Sequence, residues 1–202
     1  SPTSRLGTRS PSSPVGSFDT PISPGAFAIG AGAKFIARAI DVDKKGLGSV
    51  LQAAHGFEGT SFVEIYQNCI VYNDGVFDSW TARDVADDKQ VVIEHGKPLI
   101  FGKNKDKGLR LIHGKLELEV VTLGQNGVTT NDILVHDETR ADPSLAFTLS
   151  RLASGPHEPT PVGIFRAVER PEYATEATQQ IAAAQERSGP GVLKDLLHSG
   201  AT

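Results

Sequence analysis

The tightest constraint on this chain is a segment of about 32 residues that reads strand, helix, strand. Residues 35–40 (FIARAI) and 61–66 (SFVEIY) are rich in β-branched and aromatic side chains and poor in turn formers, as strands are. Between them Asp43 is placed to cap a helix in which Leu47, Val50, Leu51 and Ala54 recur at i, i+3, i+4 and i+7, with Gly56 at its end. Such a βαβ unit predicts two parallel neighbouring strands joined by a right-handed crossover, and therefore an α/β core.

Upstream, residues 1–32 contain seven Ser, three Thr, five Pro and five Gly, and only Arg5, Arg9 and Asp19 are charged. That composition leaves two readings open, a flexible leader or an ordered loop of turns laid over something that fixes it. Ser23 followed by Pro24 predicts the start of a short helix through Ala26, Phe27 and Ile29.

Downstream, the pattern predicts short strands at 90–94, 98–101, 109–112, 115–121 and 133–136. In the fourth, Leu116, Leu118 and Val120 form an apolar face opposite Glu117 and Glu119. A helix through Leu145, Leu149 and Leu152 follows Asp142-Pro143. Then come a strand at 162–168, an Ala-rich helix at 172–187 and a last apolar turn at 192–197.

Composition removes several functional classes. Lys and Arg number 20 against 24 Asp and Glu, net −4, which argues against nucleic acid as a partner. One cysteine excludes an internal disulfide and, alone, a Cys₄ metal site. Lys34 and Arg38 interrupt the most apolar early stretch, so no membrane span is expected, and the cytoplasm is the default location. The chain starts at Ser1 and contains no Met, which suggests a piece of something longer.

Most chemistry-bearing residues read as structural. The six histidines form no H-x-H or H-E-x-x-H pair and are expected on the surface or in loops. Glu117 and Glu119 read as a solvated strand face. Gly30-Ala31-Gly32 lacks the third glycine of a dinucleotide fingerprint and precedes a strand instead of following one. The Lys103, Lys105, Lys107, Arg110 cluster reads as a solvated loop. Cys69 stands just past the carboxyl end of the second strand, the edge at which open α/β sheets bind ligands, although an isolated cysteine is more often a small buried residue.

Residues 59–78 (GTSFVEIYQNCIVYNDGVFD) closely resemble the β subunit of the 2-oxoacid:ferredoxin oxidoreductases of the 2-oxoglutarate type. Residues 1–17, 26–39 and 91–111 are similar to successive stretches of the same subunit, so the resemblance covers nearly the whole chain. It implies an α/β fold, part of a thiamine diphosphate-binding parallel-sheet fold followed by a β-rich extension and helical tail. The corresponding divisions are a cofactor-proximal loop and helix start at 1–32, the βαβ part at 33–70, and a subunit extension at 71–202. It implies oxidative decarboxylation of a 2-oxoacid to an acyl-CoA, with thiamine diphosphate held by Mg²⁺ and electrons leaving through a [4Fe–4S] cluster to ferredoxin. An α subunit, ferredoxin, the 2-oxoacid and coenzyme A are the implied partners. Cys69 matches the family's fourth cluster ligand, which lies apart from three cysteines near the N-terminus, and soft thiolates suit such clusters. Ser1, Pro2 and Thr3 match the loop beside the thiamine cofactor. The family's Gly-Asp-Gly…Asn signature, its Mg²⁺ ligands and those three cysteines are absent from this sequence, so the chain resembles a C-terminal region expected to hold neither cofactor alone. Pyruvate or another 2-oxoacid as substrate, or a non-catalytic fragment acting only by association with the α subunit, are the alternatives.

Overall fold

A computed structural model describes residues 3–152 and 158–200. The chain divides into two compact units, Ser1–Val168 and Glu169–Thr202.

The first unit is built on the βαβ segment. Strand β1 (Phe35–Ile40), helix α2 (Lys44–Gly56) and strand β2 (Ser61–Tyr66) occupy the expected residues, and the two strands pair in parallel from Phe35↔Ser61 to Ile40↔Tyr66. Asp43 caps α2 by accepting the Gly46 N–H at 3.0 Å. Ahead of them, Ser23 caps helix α1 (Pro24–Gly30). All six residues of β1 are buried, which marks it as a central strand.

The sheet is completed from far along the chain. Its order is β2-β1-β7-β3, with β3 at Gln90–Ile93 and β7 at Thr160–Ala167. β7 runs antiparallel to β1 and parallel to β3, so two of the three pairings are parallel. Gly163 sits where β7 meets both neighbours. It adopts φ +126°, and a Cβ there would fall 2.5 Å from the Ile93 carbonyl oxygen.

A second, antiparallel sheet has the order β4-β5-β6, with β4 at Ile100–Phe101, β5 at Lys107–Leu111 and β6 at Leu118–Thr122. Helix α5 (Ser144–Arg151), α1 and this sheet share one apolar core with the main sheet, around Ile36, Leu99, Leu109, Leu149 and Phe165. On the opposite side, α2 covers Phe35, Ala37 and Ala39 with Val50. Leu47 and Ala54 of the expected stripe pack there, but Leu51 is exposed and Ala53 takes its place.

Several expectations shift. The expected apolar face of β6 holds only in part: Leu118 packs against the core, but Leu116 and Val120 are exposed and Val121 is buried instead. Pairing with β5 decides this. Val121 lies opposite Gly108, and Ile133 fills the space that a Gly108 side chain would need. Residues 133–136 form no strand; they cross β5 and the 97–99 segment by single backbone bonds after a 3₁₀ turn at Thr130–Asp132. The polar stretch 77–88 holds two short helices, α3 (Asp78–Thr81) and α4 (Ala86–Lys89). The leader forms the loop of turns. Gly7 N–H donates to Ser17 O at 2.7 Å, Ser17 N–H to Thr8 O at 2.9 Å, and Ser10 bridges Ser13.

In the second unit, Glu172 accepts the Ala174 and Thr175 N–H groups and so caps α6 (Tyr173–Ser188), and α7 (Leu193–His198) follows. No helix among the described residues is long and apolar enough to cross a membrane.

Candidate functional site

The carboxyl end of β2 opens on one side into a cleft of about 680 Å³ and runs on the other into the loop that carries Cys69. Thr3, Arg5 and Leu6 of the leader, the 21–24 segment, Tyr66 and Gln67, Phe77 and Trp80, and Ser150 to Leu152 line the cleft. Its floor is a buried ion pair. Arg38, 2% exposed, donates its Nε–H to Glu64 Oε2 at 2.8 Å. Nη2 donates to Ser150 O at 2.8 Å and Nη1 to Pro161 O at 3.3 Å, while the guanidinium lies 5.3 Å from the Tyr66 ring centre and 5.1 Å from that of Phe165. Hydrogen bonds and ring faces thus compensate the charge lost to solvent.

Tyr66 packs edge-on against Trp80 at 5.2 Å and tilted against Phe77 at 5.1 Å. Burial raises its pKa above the ordinary phenol value, partly offset by Arg38, so the hydroxyl remains protonated and able to donate. Arg5 and Arg151 are exposed at the rim, which gives the mouth of the cleft a positive character. The arrangement suits an anionic ligand with an apolar or flat portion.

Cys69 lies two residues beyond Gln67 and is exposed. The reading of this cysteine as a small buried residue is thereby overturned. Its pKa is lowered, first by the backbone N–H groups of Tyr72 and Val71 and then by that of Asn73, against slight desolvation and the Asp74 carboxylate. An exposed thiol whose thiolate is stabilised by backbone N–H groups is fit to be a nucleophile or a soft-metal ligand. Among the described residues no group of three or more His, Cys, Asp or Glu could hold a metal ion, so Cys69 fits a cluster only as one contributor among ligands supplied from elsewhere.

Of the three leader residues singled out, Thr3 lines the cleft, and Ser1 and Pro2 lie outside the described residues. The leader and Cys69 therefore flank one strand end. His136 departs from its expectation. It is buried, with Nε2 2.7 Å from Ile164 O, to which it donates as N–H, and with Nδ1 unpartnered. Burial lowers its pKa and keeps it neutral. His157 lies outside the described residues. Glu119 is not simply solvated, since it accepts two bonds from Arg110 at 2.7 and 2.9 Å. Lys107 and Arg110 belong to β5 rather than to a loop, and Lys107 pairs with Asp88 at 2.8 Å. Gly30 and Gly32 end α1 ahead of β1, away from any phosphate-loop context.

The Arg38–Glu64 floor was not anticipated. Its signal is one Arg inside FIARAI and one Glu inside SFVEIY, at positions that in-register parallel pairing places side by side.

No protein-family model matches the chain. It is 40% identical over 200 residues to the 2-oxoglutarate oxidoreductase subunit KorB of Mycobacterium tuberculosis, covering 98% of this chain and 52% of that protein. It is 36% identical over 74 residues to the β subunit of 2-oxoacid:ferredoxin oxidoreductase 1 of Aeropyrum pernix, covering 37% of this chain and 23% of that protein. The 2-oxoglutarate:ferredoxin oxidoreductase of Magnetococcus marinus, solved with 2-oxoglutarate, coenzyme A and succinyl-CoA bound, superposes with a TM-score of 0.60 at 20% identity, covering all of this chain and 52% of that one. At that identity the likeness shows the fold, a mixed α/β architecture. The chain spans about half the length of the M. tuberculosis relative.

Proposed function

The chain is homologous to part of the β subunit of the 2-oxoacid:ferredoxin oxidoreductases, and on that premise we propose that it works within a 2-oxoglutarate:ferredoxin oxidoreductase of the cytoplasm, as the portion of its β subunit that carries Cys69. The observation that carries this reading is the 40% identity to KorB across 98% of the chain. The reaction is oxidative decarboxylation of the 2-oxoacid to an acyl-CoA, with an α subunit and ferredoxin as partners.

Cys69 is the residue proposed to hold a [4Fe–4S] cluster, as one of four thiolate ligands. When bound, the cluster supplies one-electron transfer and thiamine diphosphate with Mg²⁺ supplies carbanion stabilisation. This chain's own contribution is positional. The backbone N–H groups of residues 71–73 favour the thiolate form that ligation requires. The Arg38–Glu64 pair ties β1 to β2 two residues before their carboxyl ends and so helps set where the loop leaves the sheet. Thr3 borders the cleft, which supports the reading of the leader, residues 1–32, as cofactor-proximal. The positive rim at Arg5 and Arg151 attracts a dicarboxylate such as 2-oxoglutarate before pyruvate, whose single carboxylate offers less charge.

The test uses the enzyme assembled with its α subunit and the remainder of the β polypeptide, purified without oxygen. Cys69→Ala is expected to lose iron and to abolish 2-oxoglutarate- and coenzyme A-dependent reduction of ferredoxin, while bound thiamine diphosphate stays near its wild-type amount. Normal iron with near-normal ferredoxin reduction would show that Cys69 is not a ligand. A turnover that prefers pyruvate would keep the family and change the substrate.

A further inference from the structure

We propose that Asn68 is the positioning residue for Cys69, its carboxamide closing the loop that presents the thiol at the end of β2. This rests on the reading of Cys69 as a cluster ligand and extends it from the ligand to what aims it.

The geometry is that of a clamp. Asn68 Nδ2 donates to Asp74 Oδ1 at 2.7 Å, and Asn68 Oδ1 accepts the Gly75 N–H at 3.0 Å. The backbone N–H of Asn68 reaches back to Asp41 Oδ2 at 3.4 Å, just past the end of β1. One side chain thus ties the two ends of the 68–75 loop together, and its own backbone moors the loop to the sheet. Within the loop, Asn73 N–H donates to Cys69 O at 3.0 Å, closing a turn around the residue that carries the sulfur. Gly75 turns the chain at φ +71°, where a side chain would be strained, and its N–H is the one that Asn68 captures.

Packing cannot hold this loop. Ile70, Val71 and Tyr72 are 78%, 75% and 70% exposed, so the segment beside Cys69 buries almost nothing. Its shape then depends on the polar closure at its base, and that closure runs through one carboxamide. Because both atoms of the amide are used, no shorter or singly functional side chain reproduces the pair.

Two variants test this. Asn68→Ala removes the clamp. Asn68→Asp combined with Asp74→Asn restores it with the polarity reversed at unchanged net charge, since the carboxylate then accepts both from the relocated carboxamide and from the Gly75 N–H. Hydrogen exchange is followed by mass spectrometry on the full 202-residue chain at about 1 μM, below the concentration at which its apolar surfaces drive association. In Asn68→Ala the 69–75 segment is expected to exchange about tenfold faster while β1 and α2 keep their wild-type protection, and in the exchanged pair it returns to within about twofold of wild type. In the assembled enzyme the cluster's reduction potential is expected to move in Asn68→Ala and to return in the exchanged pair. Wild-type exchange in Asn68→Ala overturns the proposal. So does an exchanged pair that behaves like Asn68→Ala, including the case in which both unfold. Loss of the cluster reading shows differently, as retained iron in Cys69→Ala, and leaves the exchange result standing.

Discussion

Arg38 and Glu64 are paired twice, once as in-register neighbours of the parallel strands β1 and β2 and once as an ion pair of 2.8 Å between Nε and Oε2. The same guanidinium bonds the carbonyls of Ser150, at the end of α5, and Pro161, in β7. One side chain therefore joins three strands of the main sheet and a helix end, directly beneath the cleft.

Removing one charge from that pair strands the other. Glu64→Gln is expected to cost about 3–5 kcal/mol in urea unfolding, because Arg38 cannot regain water without breaking the sheet. Arg38→Met with Glu64→Leu, an apolar pair of similar volume, is expected to recover most of that loss. A cost below about 1 kcal/mol for Glu64→Gln would mean that solvent reaches the pair and that it does not organise the floor.

Gly163 supplies a second test of the sheet. At φ +126°, with the Ile93 carbonyl beside the position of any Cβ, Gly163→Ala must shift β3 away from β7. A loss of about 2–4 kcal/mol is expected, combining backbone strain with overpacking. Gly96→Ala, also at positive φ but with open space around its Cβ, is the control for strain alone and should cost less.

His136 makes stability depend on pH. Its pKa is lowered mainly by burial, against the hydrogen bond to Ile164 O, with His95 lowering and Asp137 raising it further. An unfolded histidine binds its proton below about pH 6.5, whereas the folded one resists. The contribution is therefore complete above that value and is lost as pH falls toward the folded pKa. His136→Gln, which keeps a donor for Ile164 O, should flatten the melting temperature between about pH 6.5 and 5 relative to wild type. Equal slopes in the two proteins would show that His136 is not the source of acid sensitivity in that window; Asp88, Asp132, Asp137 and Asp142, whose pKa values are lowered by hydrogen bonds, lose their contributions only at lower pH.

What the sequence revealed follows from how local each decision is. β1, α2 and β2 declare themselves through composition, a capping Asp43 and helical spacing, all set within 32 residues of one another. The burial of Val121 in β6 is decided by Gly108 and Ile133, more than ten residues away in the chain on either side of it, and alternation alone missed it. The entry of β7 between β1 and β3 pairs residues 70 apart with β3 and 125 or more apart with β1, beyond any window of local pattern. At the site, the strand end made the place of Cys69 predictable, but position alone favoured a small buried residue, and only the resemblance of residues 59–78 pointed to a ligand. The Asn68 clamp was not, since Asn, Asp and Gly together read as an ordinary turn until the partners are seen.

The isolated chain carries apolar surface that calls for a partner. β2 lies at the edge of the main sheet, and Ile65 on it is 42% exposed. Val15 and Phe18 in the leader are 90% and 88% exposed, and Ile70 to Tyr72 add a third apolar group beside Cys69. Edge strands with uncovered apolar side chains recruit other chains. We expect the chain purified alone to self-associate at concentrations on the order of 10 μM, seen by light scattering behind a sizing column, and to become soluble when co-expressed with the α subunit and β polypeptide that the proposed function implies. Ile65→Lys places a charge on that edge and should raise the monomer fraction while leaving the thermal transition within a few degrees of wild type. A single sharp monomer peak for the unmodified chain, with a cooperative melt, would show that these surfaces need no cover and would remove the physical case for an obligate partner.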